Sequence, residues 1–140
     1  STGRVYAVDA ATGKLRWEAD VGPAHKQMEK AKEAALASRA GLADLPNMEA
    51  SPVVADGVLV VPTYQGATDL GLAGYDPATG KRLWELPAVT PNKGAPALWR
   101  HAGKTYVLAG SVAGTLRLID PKAGTVVWEL GGLGVQWELL

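Results

Sequence analysis

The sequence predicts an all-β protein built from repeated units of four antiparallel strands. Three segments, residues 7–17, 74–84 and 118–128, share one frame in which Gly follows Asp by four residues and Trp follows that Gly by four. Short apolar or alternating runs lie between these segments, and Gly, Asp or Pro bounds them. Seventeen glycines and nine prolines among 140 residues supply the frequent turns that such a chain needs. Together these observations indicate a series of antiparallel hairpins.

The spacing of the repeat predicts the architecture. The second and third motifs lie 44 residues apart, and Pro52 and Pro96 repeat the same interval. Four antiparallel strands in about 44 residues is the size of one blade of a β-propeller. We expect strands at residues 52–55, 58–63, 72–76 and 82–86 in one blade, and at residues 96–100, 104–109, 115–119 and 125–130 in the next.

These strands divide the chain into parts of one propeller segment. Residues 1–21 supply strands C and D of a blade, residues 50–86 and 95–130 supply a full blade each, and residues 134–140 begin the next blade. The resulting total, about two and a half blades, is below the four to eight of a closed propeller. We therefore expect the chain to be a piece of a longer protein. Its open strand edges predict pairing with further blades or with another copy of the chain.

Residues 22–46 form an insertion that we expect to be helical. The first two motifs lie 67 residues apart rather than 44, and the excess falls in a segment rich in Ala, Lys, Glu and Leu, which have high helix propensity. Pro23 suits a first helical turn, and Gly41 suits a C-terminal cap. Three roles stay open for this insertion: a lid, a binding element for a protein partner, or a tolerated loop expansion.

The repeated motif resembles the tryptophan-docking motif AxDxxTGKxxW of the pyrroloquinoline-quinone (PQQ)-like repeat family. The matching positions are Ala7, Asp9, Gly13 and Trp17 in the first copy, Asp76, Gly80 and Trp84 in the second, where Gly74 replaces the Ala, and Asp120, Gly124 and Trp128 in the third, where Leu118 departs from the pattern. The resemblance implies a propeller of the eight-bladed type, in which each Trp stacks on the turn of a neighbouring blade. Glycine allows that approach because no Cβ intervenes. We interpret the three carboxylates as structural turn residues, because equivalent turns on successive blades lie too far apart to converge on one site.

Composition and motifs assign no catalytic and no metal-binding residue. Fourteen basic and fourteen acidic side chains give zero net charge, which argues against a nucleic-acid binder, and no apolar run approaches the ~20 residues that span a bilayer. The absence of Cys excludes disulfides and thiolate metal sites. His25 and His101 lack further ligands at metal spacing. Ser51 and Ser111 lack the His or acid partner that a hydrolase needs.

The resemblance also raises the question of a quinone cofactor. In quinoprotein dehydrogenases, PQQ and a calcium ion lie over the central funnel of the propeller. The polar candidates on that face are weak, because loop residues are polar by default; they are Asn47, Glu49, Asp69, Asn92 and Lys93. We expect no cofactor in this segment, with PQQ and calcium as the alternative.

Fold alone does not decide between classes of function. We expect a PQQ-like propeller segment that serves as a non-catalytic scaffold or protein-interaction surface. The alternatives are a segment of a PQQ-dependent alcohol or sugar dehydrogenase and an extracytoplasmic sensor domain. By resemblance we expect a periplasmic or extracytoplasmic location, although residues 1–10 carry no signal-peptide pattern. The expected partners are the remaining blades or another copy of the chain, and a protein at the helical insertion.

Overall fold

The computed structural model describes residues 4–21, 50–63, 69–91, 95–111 and 114–133. Its ten strands are β1 (Arg4–Val8), β2 (Leu15–Asp20), β3 (Val53–Ala55), β4 (Val58–Thr63), β5 (Asp69–Tyr75), β6 (Arg82–Pro91), β7 (Ala97–His101), β8 (Lys104–Gly110), β9 (Leu116–Asp120) and β10 (Thr125–Leu130). The helix predicted for residues 22–46 and the strand predicted for residues 134–140 lie outside the described ranges. Within those ranges there is no helix, and so none long and apolar enough to cross a membrane.

The strands form three antiparallel sheets. Sheet 1 pairs β1 with β2, sheet 2 has the order β3-β4-β5-β6, and sheet 3 has the order β7-β8-β9-β10. Strands that are neighbours in each sheet are also neighbours along the chain, so short hairpins connect most of them. The two four-stranded sheets confirm the all-β class and the four-stranded antiparallel units that the repeat predicts.

Sheets 2 and 3 each begin with a tight hairpin. Asp56 and Gly57 connect β3 to β4 with φ of 47° and 81°, and Ala102 and Gly103 connect β7 to β8 with φ of 48° and 77°. Two successive positive φ angles give a turn whose twist matches that of the flanking strands. Asp56 Oδ1 also accepts a hydrogen bond of 3.2 Å from the backbone N–H of Thr105. This bond ties the first hairpin of sheet 2 to β8 of sheet 3.

Strand β6 is longer than the sequence pattern predicts. The predicted strand ends at residue 86, whereas the observed strand continues to Pro91 through Pro87. Among the described strands β6 pairs with β5 alone and lies at the edge of sheet 2, and an edge strand tolerates a proline because its missing N–H can face away from the sheet. Strand β5 correspondingly begins at Asp69, which pairs with Pro91.

Two apolar clusters hold the sheets face to face. The cluster between sheets 1 and 2 consists of Val21, Val61, Ala73 and Tyr75, with Val5, Ala19 and Leu59 packed against it. The cluster between sheets 2 and 3 consists of Ala55, Val58, Val60, Leu72, Val107, Ala109 and Ile119, with Val53, Trp84 and Leu86 packed against it. Sheet 2 therefore has apolar contacts on both faces, which explains the nearly continuous apolar sequence of β4.

Candidate functional site

The first copy of the repeated motif forms a hairpin turn organised by one carboxylate. Asp9 Oδ1 accepts hydrogen bonds from the backbone N–H groups of Ala11 at 3.1 Å and Thr12 at 2.9 Å, and from the Thr12 hydroxyl at 2.9 Å. Gly13 donates its N–H to the Asp9 carbonyl oxygen at 2.8 Å and has a φ of 67°. The hydrogen bond from the Thr12 hydroxyl, helped by the backbone bonds, holds the pKa of the Asp9 carboxyl below its usual value. The carboxylate therefore stabilises the turn in its charged form.

The other two copies repeat this turn. Asp76 Oδ1 and Asp120 Oδ1 each accept two backbone N–H bonds, at 2.8 and 3.2 Å and at 2.9 and 3.2 Å. The turn glycines have φ of 72° at Gly80 and 65° at Gly124. Beside each turn the strand register shifts by a bulge, between Ala7 and Val8, between Gly74 and Tyr75, and between Val126 and Trp128. The three sheets therefore present equivalent turns and equivalent tryptophan positions.

Trp17 joins sheet 1 to the turn of sheet 2. Its indole Nε1–H donates a hydrogen bond of 2.9 Å to the carbonyl oxygen of Pro77. Its ring lies so close to Gly80 that a Cβ on that glycine would stand 2.6 Å from Trp17 Cδ2. Only glycine combines this approach with a positive φ without strain. We call the contact between a Trp of one sheet and the turn of the following sheet an inter-sheet joint.

Trp84 forms the second inter-sheet joint, between sheets 2 and 3. Its Nε1–H donates a hydrogen bond of 2.7 Å to the carbonyl oxygen of Pro121, and its ring lies on the turn at Gly124, where a Cβ would overlap it. The indole also lies over Gly74, its cross-strand partner on β5, and a Cβ there would overlap the ring as well. The ring is therefore fitted between two glycines from different sheets.

Trp128, the third motif tryptophan, has different surroundings. It pairs across the strands with Leu118, which has the place in sheet 3 that Gly74 has in sheet 2. A Cβ at that place would overlap the ring position of Trp84, although Ala7, which has the same place opposite Trp17, does not prevent the first joint. The Trp128 ring instead meets Trp99 edge to face, with 6.4 Å between ring centroids. Ring contacts join Trp99 further to His101 and Tyr106.

Tyr75 links sheets 1 and 2 beside the first inter-sheet joint. Its side chain is 1% exposed, and its hydroxyl donates a hydrogen bond of 3.0 Å to the carbonyl oxygen of Asp20. Burial raises the pKa of the Tyr75 hydroxyl above its usual value of 10.0, with smaller charge effects from Arg82, Glu85 and Asp20. The hydroxyl therefore remains a neutral donor at ordinary pH.

Of the five residues predicted as candidates for a cofactor funnel, the structure describes one, Asp69. Asn47, Glu49, Asn92 and Lys93 lie outside the described residues, and Asp69 is the first residue of β5. Among the residues that the structure describes, no group of three or more His, Cys, Asp or Glu side chains could hold a metal ion.

The structure describes three of the four side chains considered as nucleophiles or metal ligands, namely Ser51, His101 and Ser111. Ser111 is buried, and its Oγ accepts a hydrogen bond of 3.4 Å from the backbone N–H of Thr115. Ser51 is exposed and His101 belongs to the ring group around Trp99. The remaining candidate, His25, lies outside the described residues.

Sequence reasoning missed the hydrogen-bond acceptors of the joints. The indole groups of Trp17 and Trp84 donate to main-chain carbonyls, at Pro77 and Pro121. A main-chain acceptor leaves no mark in the sequence, because every residue type carries one. The bond between Tyr75 and the Asp20 carbonyl is invisible for the same reason.

Comparison with known proteins gives relatives of this chain. The family model described as outer membrane protein assembly factor BamB matches residues 1–131. The 1-butanol dehydrogenase (cytochrome c) of Thauera butanivorans is 36% identical over 110 residues, which are 72% of this chain and 15% of that protein. This chain thus spans less than a fifth of the curated relative.

Two solved structures share the fold. The crystal structure of BamB from Moraxella catarrhalis is similar with a TM-score of 0.61 and 20% identity, covering 93% of this chain and 31% of that one. The quinohemoprotein alcohol dehydrogenase from Comamonas testosteroni is similar with a TM-score of 0.58 and 17% identity, covering 96% of this chain and 25% of that one. The family match over residues 1–131, with the repeated turns and joints, identifies the chain as a member of the PQQ-like β-propeller repeat family.

Proposed function

We propose that this chain is a non-catalytic scaffold segment whose sheets present a protein-interaction surface. One observation carries the proposal: the second inter-sheet joint, in which Trp84 donates to the Pro121 carbonyl at 2.7 Å and its ring lies between glycines of two sheets. Such a contact fixes one sheet against the next. Four of the residues that the repeat singles out hold sheets together, namely Trp17, Gly80, Trp84 and Gly124.

The causes of the pKa shifts support the same proposal. The shifted pKa values described above belong to Asp9, in an exposed turn, and to Tyr75, between two sheets. Strongly perturbed groups that serve catalysis lie in clefts beside a specific charge partner. Asp9 and Tyr75 instead owe their shifts to turn hydrogen bonds and to burial. Both groups stabilise the fold.

The family match supports a role in protein assembly. The matched family model carries the description outer membrane protein assembly factor BamB. We propose accordingly that the partners of this chain are proteins and that it works outside the cytoplasm. The segment 22–46 is a further candidate surface for such a partner, on the strength of its sequence alone.

A second candidate function is a segment of a PQQ-dependent alcohol dehydrogenase. The 36% identity with 1-butanol dehydrogenase over 110 residues favours it. On this reading, PQQ with calcium would supply the oxidising chemistry when bound. The candidates for contact would be the polar residues Asn47, Glu49, Asp69, Asn92 and Lys93.

Titration of the purified chain with PQQ and Ca²⁺ tests the proposal. Cofactor fluorescence reports binding directly, and thermal unfolding reports it independently, because a ligand that binds only the folded state raises Tm. Ca²⁺ alone and PQQ alone are the controls. We expect no saturable fluorescence change and no rise in Tm. Saturable binding with a matching rise in Tm would contradict the scaffold proposal for this chain and favour the dehydrogenase.

A Glu49→Gln and Lys93→Ala double variant sharpens the result. These substitutions remove one carboxylate and one ammonium group from the candidate funnel face. If binding occurs and the double variant weakens it, the ligand occupies that face. If binding occurs and the variant leaves it unchanged, the funnel candidates are wrong.

A further inference from the structure

The hairpin between β7 and β8 is longer than the hairpin between β3 and β4. Tyr75 and Ile119 each precede a turn Asp, so their cross-strand partners Leu59 and Val107 have the same place in sheets 2 and 3. Beyond that place sheet 2 makes one more residue pair before it turns, whereas sheet 3 makes three. The two additional pairs are Arg100 with Thr105 and His101 with Lys104, and they lengthen the hairpin by roughly 7 Å. We call residues 100–105 the sheet 3 tip.

The sheet 3 tip carries exposed cations. Arg100 and Lys104 are both exposed. Arg100 follows Leu98 by two residues and therefore shares the face of sheet 3 that packs against sheet 2. It is exposed although that neighbouring sheet is present, so its exposure follows from the length of the hairpin. Arg100 has no ion-pair partner among the described residues, and Lys104 Nζ approaches Asp120 Oδ2 only to 3.9 Å.

The turn of the sheet 3 tip has an unfavourable residue at its first position. Ala102 has a φ of 48° there, and Asp56 has a φ of 47° at the same position in sheet 2. Among the described residues other than glycine, these two alone have a positive φ. Aspartate adopts this left-handed backbone more readily than alanine, because its short polar side chain bonds locally. Asp-Gly is also a preferred pair for such a turn. Sheet 3 therefore has the less favourable residue where sheet 2 has the favourable one.

The alanine has an electrostatic consequence. A carboxylate at residue 102 would lie beside Arg100 and Lys104 and would compensate their charge. Alanine leaves that charge available to a ligand. The base of the tip is also held in place, because the backbone N–H of Thr105 donates to Asp56 Oδ1 of sheet 2 at 3.2 Å. The cations therefore lie on an anchored hairpin, and a surface that is already ordered loses less entropy when it binds.

We propose that the sheet 3 tip binds an acidic segment of a partner protein, whose carboxylates pair with Arg100 and Lys104. The proposal rests on the proposed scaffold function, for which it names the chemistry of a partner. Charge complementarity selects an acidic partner. The zero net charge of the whole chain argues against a nucleic acid as that partner, because affinity for nucleic acid depends on neutralising many phosphates. Exposed ion pairs are individually weak, so the contact is transient and sensitive to salt.

Two substitutions at one position test the proposal. Ala102→Asp gives the turn a residue that favours the left-handed backbone and adds a carboxylate beside the cations. Ala102→Asn is the matched control, because asparagine favours the same backbone without a charge. The probe is a fluorescein-labelled peptide of alternating Glu and Gly, and a Lys-Gly peptide of the same length is its control. Fluorescence anisotropy measures the Kd, and urea denaturation measures the stability of each variant.

We expect the unmodified chain and Ala102→Asn to bind the Glu-Gly peptide with the same Kd and to leave the Lys-Gly peptide unbound. Each exposed ion pair is worth up to ~5-fold in affinity, so Ala102→Asp should raise the Kd by ~5–20-fold. Both substitutions should raise the urea midpoint, so the weaker binding of Ala102→Asp does not come from unfolding. Salt should weaken the binding between ~0.01 M and ~0.15 M, over which the Debye length falls from about 30 Å to about 8 Å.

Three results would overturn the proposal. One is the absence of saturable binding of the Glu-Gly peptide at low salt. Another is an equal Kd for Ala102→Asp and Ala102→Asn, which would place the peptide away from the tip. The third is equal affinity for a labelled DNA oligonucleotide of the same charge, which would show a contact with any polyanion. The scaffold proposal fails separately, through saturable binding of PQQ and Ca²⁺, so the two failures are distinguishable.

Discussion

The turn glycines offer a test that separates backbone strain from the fit of the tryptophan ring. Gly13 and Gly124 have nearly the same φ, 67° and 65°. A Cβ on Gly13 would meet nothing within 4 Å, whereas a Cβ on Gly124 would overlap the Trp84 ring. Alanine at either position pays the same cost for the left-handed backbone. Only at Gly124 does it also displace the indole.

The expected difference in the free energy of unfolding follows from these contacts. The left-handed conformation costs an alanine about 1–2 kcal/mol, and this is the whole expected effect of Gly13→Ala. At Gly124 the overlap adds roughly 1–3 kcal/mol of overpacking. The displaced indole also loses its bond to the Pro121 carbonyl, worth about 0.5–1.5 kcal/mol. Gly124→Ala should therefore cost about 1.5–4.5 kcal/mol more than Gly13→Ala.

Urea denaturation followed by Trp fluorescence and by circular dichroism measures both variants. Sucrose in the buffer keeps a weakened variant within the measurable range, because excluded osmolytes favour the folded state. A double-mutant cycle repeats the measurement in the Trp84→Ala variant. Without the indole, Gly124→Ala should lower the free energy of unfolding by no more than Gly13→Ala does. Equal losses for the two single glycine variants would refute the reasoning, and so would a Gly124→Ala cost that persists without the indole.

Three further predictions concern other contacts. Trp84→Ala should lower the free energy of unfolding by ~3–5 kcal/mol and Trp99→Ala by less, because Trp84 lies between two sheets and Trp99 is 42% exposed; equal losses would contradict the joint. Tyr75, whose folded pKa is raised, should stabilise the fold fully below about pH 10 and lose that contribution as pH rises through the folded pKa. Denaturation between pH 9 and pH 12, about the range in which tyrosine titrates, measures this change in the free energy of unfolding. Tyr75→Phe should remove that pH dependence. Asp9, whose folded pKa is lowered, should contribute above about pH 4 and lose its contribution as pH falls through the folded pKa. Acid unfolding of Asp9→Asn should accordingly show a weaker pH dependence, and an unchanged acid profile would exclude the turn carboxylate as a contributor.

The sequence predicted the fold because hairpin signals act locally. Turn pairs such as Asp56-Gly57 depend on neighbouring residues alone, and the period of 44 residues can be read directly from the sequence. The resulting sheets and the family were confirmed. The end of β6 was wrong by several residues, because tolerance of Pro87 and Pro91 depends on the strand being at a sheet edge. Edge position is a property of the assembled sheet.

The candidate site was less accessible to sequence reasoning. The motif indicates which tryptophans and glycines matter, and their docking role stays a prediction that the glycine variants test. The hydrogen-bond acceptor of each indole is a main-chain carbonyl oxygen, at Pro77 and at Pro121. Every residue type has such a carbonyl, so the sequence does not indicate which one accepts the bond. The loop candidates for a cofactor depend on how distant blades converge, and that arrangement is not a local property of the chain.

In both inter-sheet joints the indole donates its hydrogen bond to a main-chain carbonyl oxygen, and this affects how a repeat chain can gain units. Because the indoles of Trp17 and Trp84 bond to carbonyl oxygens, the residue that supplies the acceptor is free to change while the bond persists. Each unit of 44 residues also carries both a tryptophan and a turn. A duplicated unit would therefore bring both halves of an inter-sheet joint with it, and the residue opposite its tryptophan would be the position to watch, since it is Ala7, Gly74 and Leu118 in the three sheets.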